Sequence, residues 1–289
     1  MEWKRARAEY YKAVYKFAVE NEWEKVNLTE RISKNGPNDN GITNIRNHLF
    51  YVHFNGANDI ANLLLVSRYG LIIPYFTDTD TLTGKQKNEI SSIIKRNMRT
   101  PHTLMGLGKH VELTSEIIGK HPTHINRYHL MVLFPGKDFT IESPPVQELK
   151  LRFLEPDEEE HVFPLQRGYE LEEVLVYPNE FNPASCRKNL SHLLKTQQNV
   201  VAEINGMPIA KGGTNAQGFT CNQIGGIYTK PEYRGCGVAR YLMKFFLKEL
   251  LAQEKAVCLF VKKENNPAVK LYTSLGFKTK NDFSIVYYH

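Results

Sequence analysis

Along the second half of the chain, apolar positions switch between a period of two and a period near 3.6, which sets strands and helices in alternation. Leu149–Phe153 predicts a short strand, 157–177 a mostly helical stretch and Pro183–Thr196 a second helix. The runs Asn199–Ile204 and Ile209–Thr214 predict two strands joined at Asn205-Gly206, a dipeptide that supplies the positive φ angles of a tight hairpin. Gln223–Thr229 predicts the next strand. Val238–Gln253 follows as a long helix with Leu242, Phe246 and Leu250 on one face. Ala256–Val261 reads as an apolar strand, followed by a short helix and a closing strand at Ser284–Tyr288. This order predicts an α/β domain with a mixed sheet.

The first half is patterned in a related way. Helices are expected over Glu2–Glu20 and Trp23–Ser33, then strands at His48–Phe54, Ile60–Ser67 and Leu71–Phe76. A helix at Thr83–Met98, a strand at His102–Leu107, a helix at Lys109–Ile118 and a strand at Tyr128–Phe134 complete it. Pro135-Gly136 and Pro144-Pro145 then punctuate the chain, which places a domain boundary near residue 145 and divides it into 1–145 and 146–289.

Composition narrows the class. The chain has 289 residues, 42% hydrophobic and 24% charged, the balance of a globular protein. No apolar run reaches the roughly 20 residues that a spanning helix needs, and no signal segment is read at the start, so a cytoplasmic protein is expected. Cys186, Cys221, Cys236 and Cys258 form no C-x-x-C pair, which predicts reduced thiols. The net charge of +6 is spread over both halves without a Lys/Arg block, so neither a nucleic-acid nor a membrane partner is expected. His121, His124 and His129 lack the spacing of a metal-binding motif, and no metal is expected.

The chemistry concentrates in three blocks. Gly225 and Gly226 interrupt the strand Gln223–Thr229, where glycines mark the close approach of a ligand or another backbone. Arg234-Gly235-Cys236-Gly237-Val238-Ala239-Arg240 is a glycine turn that opens the long helix. Such a turn gathers unpaired N–H groups and the positive end of the helix dipole, a setting for an anion. It is not a P-loop, which needs Gly-Lys-Ser/Thr, nor a dinucleotide fingerprint, which needs a glycine where Arg240 stands. The third block, 265–277, has Asn266 at an N-cap, Pro267 at N1 and Gly276 past the helix end.

Together these blocks resemble the GNAT acetyltransferase superfamily. Arg234–Ala239 fits its Arg/Gln-x-x-Gly-x-Gly/Ala pyrophosphate loop, and Asn266–Phe277 fits its second cofactor block. Counted from Asn265, the alanine of that block is displaced by one, so Asn266 is the first choice and Asn265 the second. The resemblance covers about residues 148–289. It implies a GNAT fold in the second half, with the first half a degenerate GNAT-like copy or another α/β domain. It implies acetyl-CoA as co-substrate and transfer of the acetyl group to a primary amine by direct attack in a ternary complex. Carried over by position, Ile227, Tyr228 and Thr229 would line the pantetheine arm. Arg234, Gly235, Cys236, Gly237, Val238, Ala239 and Arg240 would hold the pyrophosphate, with Asn266 and Ala268 beside them. The N–H of Ile227 would face the oxygen that becomes negative, and Tyr272 would assist the departing thiolate.

An alkylamine with a pKa of about 10.4 is neutral in about one molecule in two thousand at pH 7, so a carboxylate or a water it holds must take a proton. Glu203 is the first candidate base and Glu173 the second, whereas 157–160 reads as the acidic first turn of a helix. The alternative from another class is a non-catalytic acyl-CoA-binding regulator. Which amine is used, small molecule or peptide, and the oligomeric state are not encoded in any recognisable motif.

Overall fold

The structure is a computed structural model that describes residues 2–34, 48–56 and 59–288. In chain order its elements are β1 (Lys4–Arg5), α1 (Tyr11–Val19), α2 (Val26–Lys34), β2 (His48–Phe54), β3 (Ile60–Ser67), β4 (Leu71–Phe76), α3 (Gly84–Asn97), β5 (Thr103–Leu107), α4 (Gly108–Ile118) and β6 (His124–Leu133). There follow β7 (Leu149–Phe153), α5 (Glu159–Tyr169), α6 (Pro183–Thr196), β8 (Asn199–Ile204), β9 (Met207–Gln217), β10 (Cys221–Thr229), α7 (Val238–Leu251), β11 (Ala256–Lys262), α8 (Asn266–Leu275) and β12 (Lys278–Tyr287). A π-helical turn, Glu170–Val174, extends α5.

The chain forms two compact units that do not follow a single cut. One consists of Met1–Met131, Phe260–Asn266 and Thr279–His289; the other of Val132–Leu259 and Pro267–Lys278. The closing strand, grouped by sequence with residues 146–289, therefore lies in the first unit. It pairs antiparallel with β5 from Phe283↔Leu107 to Tyr287↔Thr103. Sequence adjacency could not reveal this, because strand pairing is decided by which edge is open in three dimensions.

In the first unit the strands run β1-β2-β3-β4-β5-β12-β6. β4 and β5 are parallel, with α3 as the crossover between them. Ile90, Ile93 and Ile94 of α3 pack with Leu64, Ile72 and Leu104 of the strands. The N-terminus of α3 is closed by its own side chains: Gln86 N–H donates to Thr83 Oγ1, and Thr83 N–H donates to Gln86 Oε1. The expected first helix is shorter than Glu2–Glu20, because β1 takes Lys4–Arg5 beside Tyr51–Val52.

In the second unit the strands run β11-β10-β9-β8-β7. β8 and β9 are the hairpin expected at Asn205-Gly206, whose φ angles are +50° and +75°. β10 and β11 are parallel and α7 crosses between them, the same βαβ unit as β4-α3-β5. One sheet face packs Val201 against Val162 of α5 and Leu190 and Leu194 of α6. α7 buries Leu242, Phe246 and Leu250, the apolar face read from the sequence.

Phe283 on β12 is buried and stacks on Phe260 at 3.9 Å between ring centroids. Phe283→Ala is expected to cost about 3–5 kcal/mol in denaturant unfolding. An unchanged midpoint would contradict the assignment of the closing strand to the first unit.

Candidate functional site

The site is built around the place where β10 loses its partner. Parallel pairing with β11 runs from Cys221↔Ala256 to Ile224↔Leu259 and stops. On its other side β10 is bulged: the register with β9 jumps from Gly225↔Gly213 to Tyr228↔Lys211, setting Gly226 and Ile227 together against the single residue Gly212. Gly226 has φ +62°, a conformation that a side chain opposes, and a Cβ on Gly225 would overlap the Asn215 amide. The Ile227 side chain is accommodated by Gly212, where an added Cβ would lie 2.5 Å from Ile227 Cδ1.

Immediately downstream, Gly235 and Gly237 take φ angles of +77° and +82°, and Gly237 is the N-cap of α7. No side chain caps this helix. The N–H groups of Val238, Ala239 and Arg240 lie in the first turn, where an α-helix offers them no acceptor, so they meet at the positive end of the dipole. This is the difference from α3, whose first-turn amide is taken by Thr83 and whose preceding loop carries Asp78 and Asp80. The loop residues named from the sequence thus form one turn whose helix N-terminus has no side-chain cap.

The side chains at this turn have structural tasks. Arg234 is already engaged: its Nε donates to the Thr229 carbonyl at 2.9 Å and its guanidinium pairs with Glu172 at 2.7 Å. Tyr228 donates its hydroxyl to the same carboxylate at 2.7 Å. Burial, and then the Glu172 bond, push the Tyr228 phenol up to about 12. Burial alone would raise Glu172, but Tyr228 and Arg234 outweigh it and hold its carboxyl below the usual range. Arg240 reaches Ser274 Oγ at 2.6 Å, tying α7 to α8. Cys236 is exposed, its thiol directed to the Arg234 carbonyl at 3.6 Å.

α8 begins at Asn266, so Asn265 takes the cap position and Pro267 the second helical one, a shift of one residue from the sequence expectation. Ala268 lies in its first turn. Gly276, with φ +98°, ends the helix as expected, and Lys137 Nζ donates to the Leu275 carbonyl there at 2.7 Å. Tyr272 is buried with its ring 5.9 Å from Phe277. Burial, then the neighbouring Tyr169 and Glu173, hold its phenol far above the ordinary value, so it keeps its proton at neutral pH.

Glu203 needs a correction. It sits on β8, with β9 between it and β10. Its two oxygens accept from Arg152 Nε at 3.0 Å and Nη2 at 2.7 Å, and one is 2.5 Å from His161 Nε2. Arg152 also pairs with Glu158 at 2.6 Å. Burial raises the Glu203 pKa, and the bonds to Arg152 and His161 lower it by more. A carboxylate so committed is a structural ion, not a poised base. Glu173, the second candidate, lies in the π-helical turn after α5, and its charge helps to raise the phenols of both Tyr272 and Tyr169.

Sequence reading missed Lys211, Tyr169 and Glu170. Lys211 is buried on β9, and its Nζ donates to the Gly226 carbonyl at 3.0 Å. The signal was available: a single lysine among Ile209, Ala210, Gly212 and Gly213, on a strand whose neighbours are all buried. Among the described residues, no group of three or more His, Cys, Asp and Glu is placed to hold a metal. No helix of the described residues is long and apolar enough to cross a membrane.

Glu203 has a depressed pKa in the folded state, so its ion cluster stabilises the fold above the unfolded carboxylate pKa. That contribution disappears as pH falls through the folded value. Glu203→Gln is therefore expected to lose about 1–3 kcal/mol at pH 7 and much less at pH 3, read from urea midpoints. An equal loss at both pH values would contradict the ion-cluster role.

Residues 157–277 match the acetyltransferase (GNAT) family. A search of curated protein sequences found no match. Among solved structures, a Drosophila protein aligns over 99% of this chain and 98% of its own, with a TM-score of 0.64 and 13% identity. A GCN5-related N-acetyltransferase from Sphaerobacter thermophilus covers 98% of this chain and 94% of its own at 0.60 and 14%. A tandem GNAT protein from the clavulanic acid biosynthesis pathway covers 99% and 97% at 0.56 and 13%. At these identities the structural likeness speaks to the fold, and its extent over a tandem protein shows that fold along the whole chain. The glycine turn, the interrupted strand and the buried tyrosine all lie inside the matched segment, so residues 157–277 carry a domain of the acetyltransferase (GNAT) family, a family of acyltransferases.

Proposed function

We propose that the protein transfers an acetyl group from acetyl-CoA to a primary amine by direct attack in a ternary complex. The observation that carries this reading is the coincidence, within the second unit, of an uncapped helix N-terminus and a β10 segment that has lost its parallel partner. The first suits a diphosphate, and the second leaves backbone groups for an amide-bearing arm.

Acetyl-CoA supplies the activated acyl group. Amides of Gly235 to Arg240 hold its diphosphate, and Ile227 to Thr229 offer backbone groups to its pantetheine. As the amine attacks, the N–H of Ile227 stabilises the negative charge that develops on the thioester oxygen. Glu173, directly or through water, takes the amine proton. Tyr272, kept protonated by burial, donates to the departing sulfur. The family reading supports acyl transfer; the acetyl donor, the amine and these roles are our assignment.

Glu173→Gln is expected to lower kcat by about a hundredfold or more, while Glu203→Gln keeps turnover at temperatures where it is folded. The reverse ranking would restore Glu203 as base. Tyr272→Phe should reduce kcat by about a hundredfold with coenzyme A affinity within about threefold of the wild type. Unchanged turnover would make that tyrosine a packing residue only. Gly237→Asp should weaken coenzyme A binding by roughly 30- to 100-fold in calorimetry, because it sets bulk and negative charge at the turn into α7. Gly237→Ala controls for the strain of a φ of +82°. Retained affinity in the aspartate variant would remove the diphosphate from this turn. Coenzyme A binding without thiol release across peptide, polyamine, aminoglycoside and amino-acid acceptors would favour a regulator over an enzyme.

A further inference from the structure

The β10 bulge turns the Gly226 carbonyl out of the sheet ladder, and a carbonyl so displaced needs a new partner. The partner is Lys211 Nζ at 3.0 Å. Lys211 pairs with Tyr228 and with Val201 in the two ladders of β9 and is 7% exposed, so its ammonium is held beneath α5 and α6. Its surroundings are specific. The ammonium lies 5.2 Å from the centre of the Tyr169 ring, and Tyr169 itself hydrogen-bonds the Gly226 backbone. Glu170 supplies the opposing charge, with its carboxylate held by Gln166 Nε2 at 3.1 Å and by the Cys186 thiol. Burial pulls Lys211 down to about 8, while Cys186 and Glu170 act to raise it, so the ammonium form still predominates at pH 7.

Burying a lysine costs several kcal/mol in the absence of compensation, and only packing would be needed to fill the volume. The charge is aimed at one peptide group. That group runs from the Gly226 carbonyl to the Ile227 N–H, and in a trans peptide these point in opposite directions. A cation on the carbonyl draws electron density from the amide and makes the N–H on the far side a stronger donor. The cation also restrains the plane in which that N–H points.

We propose that Lys211 is a positioning residue for acyl transfer, whose ammonium fixes and polarises the Gly226–Ile227 peptide so that its N–H is presented to the thioester oxygen. This rests on the coenzyme A reading of the site. It adds that the strength of the oxyanion donor is set from the opposite side of the peptide by a buried cation.

The test uses full-length protein, acetyl-CoA labelled with ¹³C at the carbonyl, and difference infrared spectroscopy, alongside turnover and calorimetry. In the wild type the bound carbonyl stretch is expected below that of free acetyl-CoA. In Lys211→Met it should return toward the free value, with kcat lowered about tenfold or more and coenzyme A affinity within about threefold. Lys211→Gln keeps a neutral donor of similar reach and should fall between the two, and it serves where the methionine variant does not fold. A wild-type stretch equal to that of free acetyl-CoA overturns the proposal without any variant. So does a shift that persists in Lys211→Met or Lys211→Gln with unchanged kcat, and in that case the coenzyme A reading stands. If wild-type protein does not bind acetyl-CoA, both readings fall together.

Discussion

Backbone hydrogen bonding in β10 is the constraint on which the rest of the site depends. A central strand normally spends its N–H and C=O groups on two neighbours. Here the β11 ladder ends at Ile224, and the β9 ladder skips Gly226 and Ile227. Two adjacent residues are thereby released from the sheet in the middle of a well-packed unit. The cost is met locally by side chains: Lys211 on the Gly226 carbonyl, Tyr169 on its other side, and Arg234 on the Thr229 carbonyl. The freed segment is consequently held by side chains instead of by a neighbouring strand.

The turn into α7 follows the same logic. Gly235 and Gly237 adopt left-handed angles at the start of the helix, and no side chain is supplied to cap its first-turn amides. The first unit shows what happens when such a turn is not reserved. The same β-α-β crossover, β4-α3-β5, begins its helix at a reciprocal Thr83–Gln86 cap, and the acidic loop before it repels anions. One architecture thus leaves a helix N-terminus uncapped in one unit and closes it in the other, and the difference lies in a few residues at a turn.

Charge in the second unit divides into two sets. Arg152, Glu158, His161 and Glu203 form an ion cluster on β7, α5 and β8 that fixes the edge of the sheet. Tyr169, Glu170, Glu172, Glu173, Lys211 and Arg234 surround β10, where the sheet opens. The two sets share residue types and both perturb pKa values, so type alone does not separate scaffold from site. For Glu203 the distinction comes from what the carboxylate already holds, since Arg152 and His161 occupy both of its oxygens.

The glycine turn, the Asn205-Gly206 hairpin and the apolar face of α7 could be read from the sequence because each depends on local conformation or short periodicity. Positive φ at Gly237 and Gly276, and the four-residue spacing of Leu242, Phe246 and Leu250, are properties of neighbouring residues. The family blocks were legible for the same reason. The closing strand, the commitment of Glu203 to Arg152 and the burial of Lys211 under α5 and α6 were not, since each joins residues far apart in the chain. Glu203 lies 51 positions from Arg152, and Phe283 pairs with Leu107. Local sequence thus determined where the chain turns, which faces are apolar and where an anion would be welcomed. Only the tertiary structure decided which strand closes which sheet and which buried charges meet, because those outcomes depend on long-range packing and desolvation that short-range pattern does not encode.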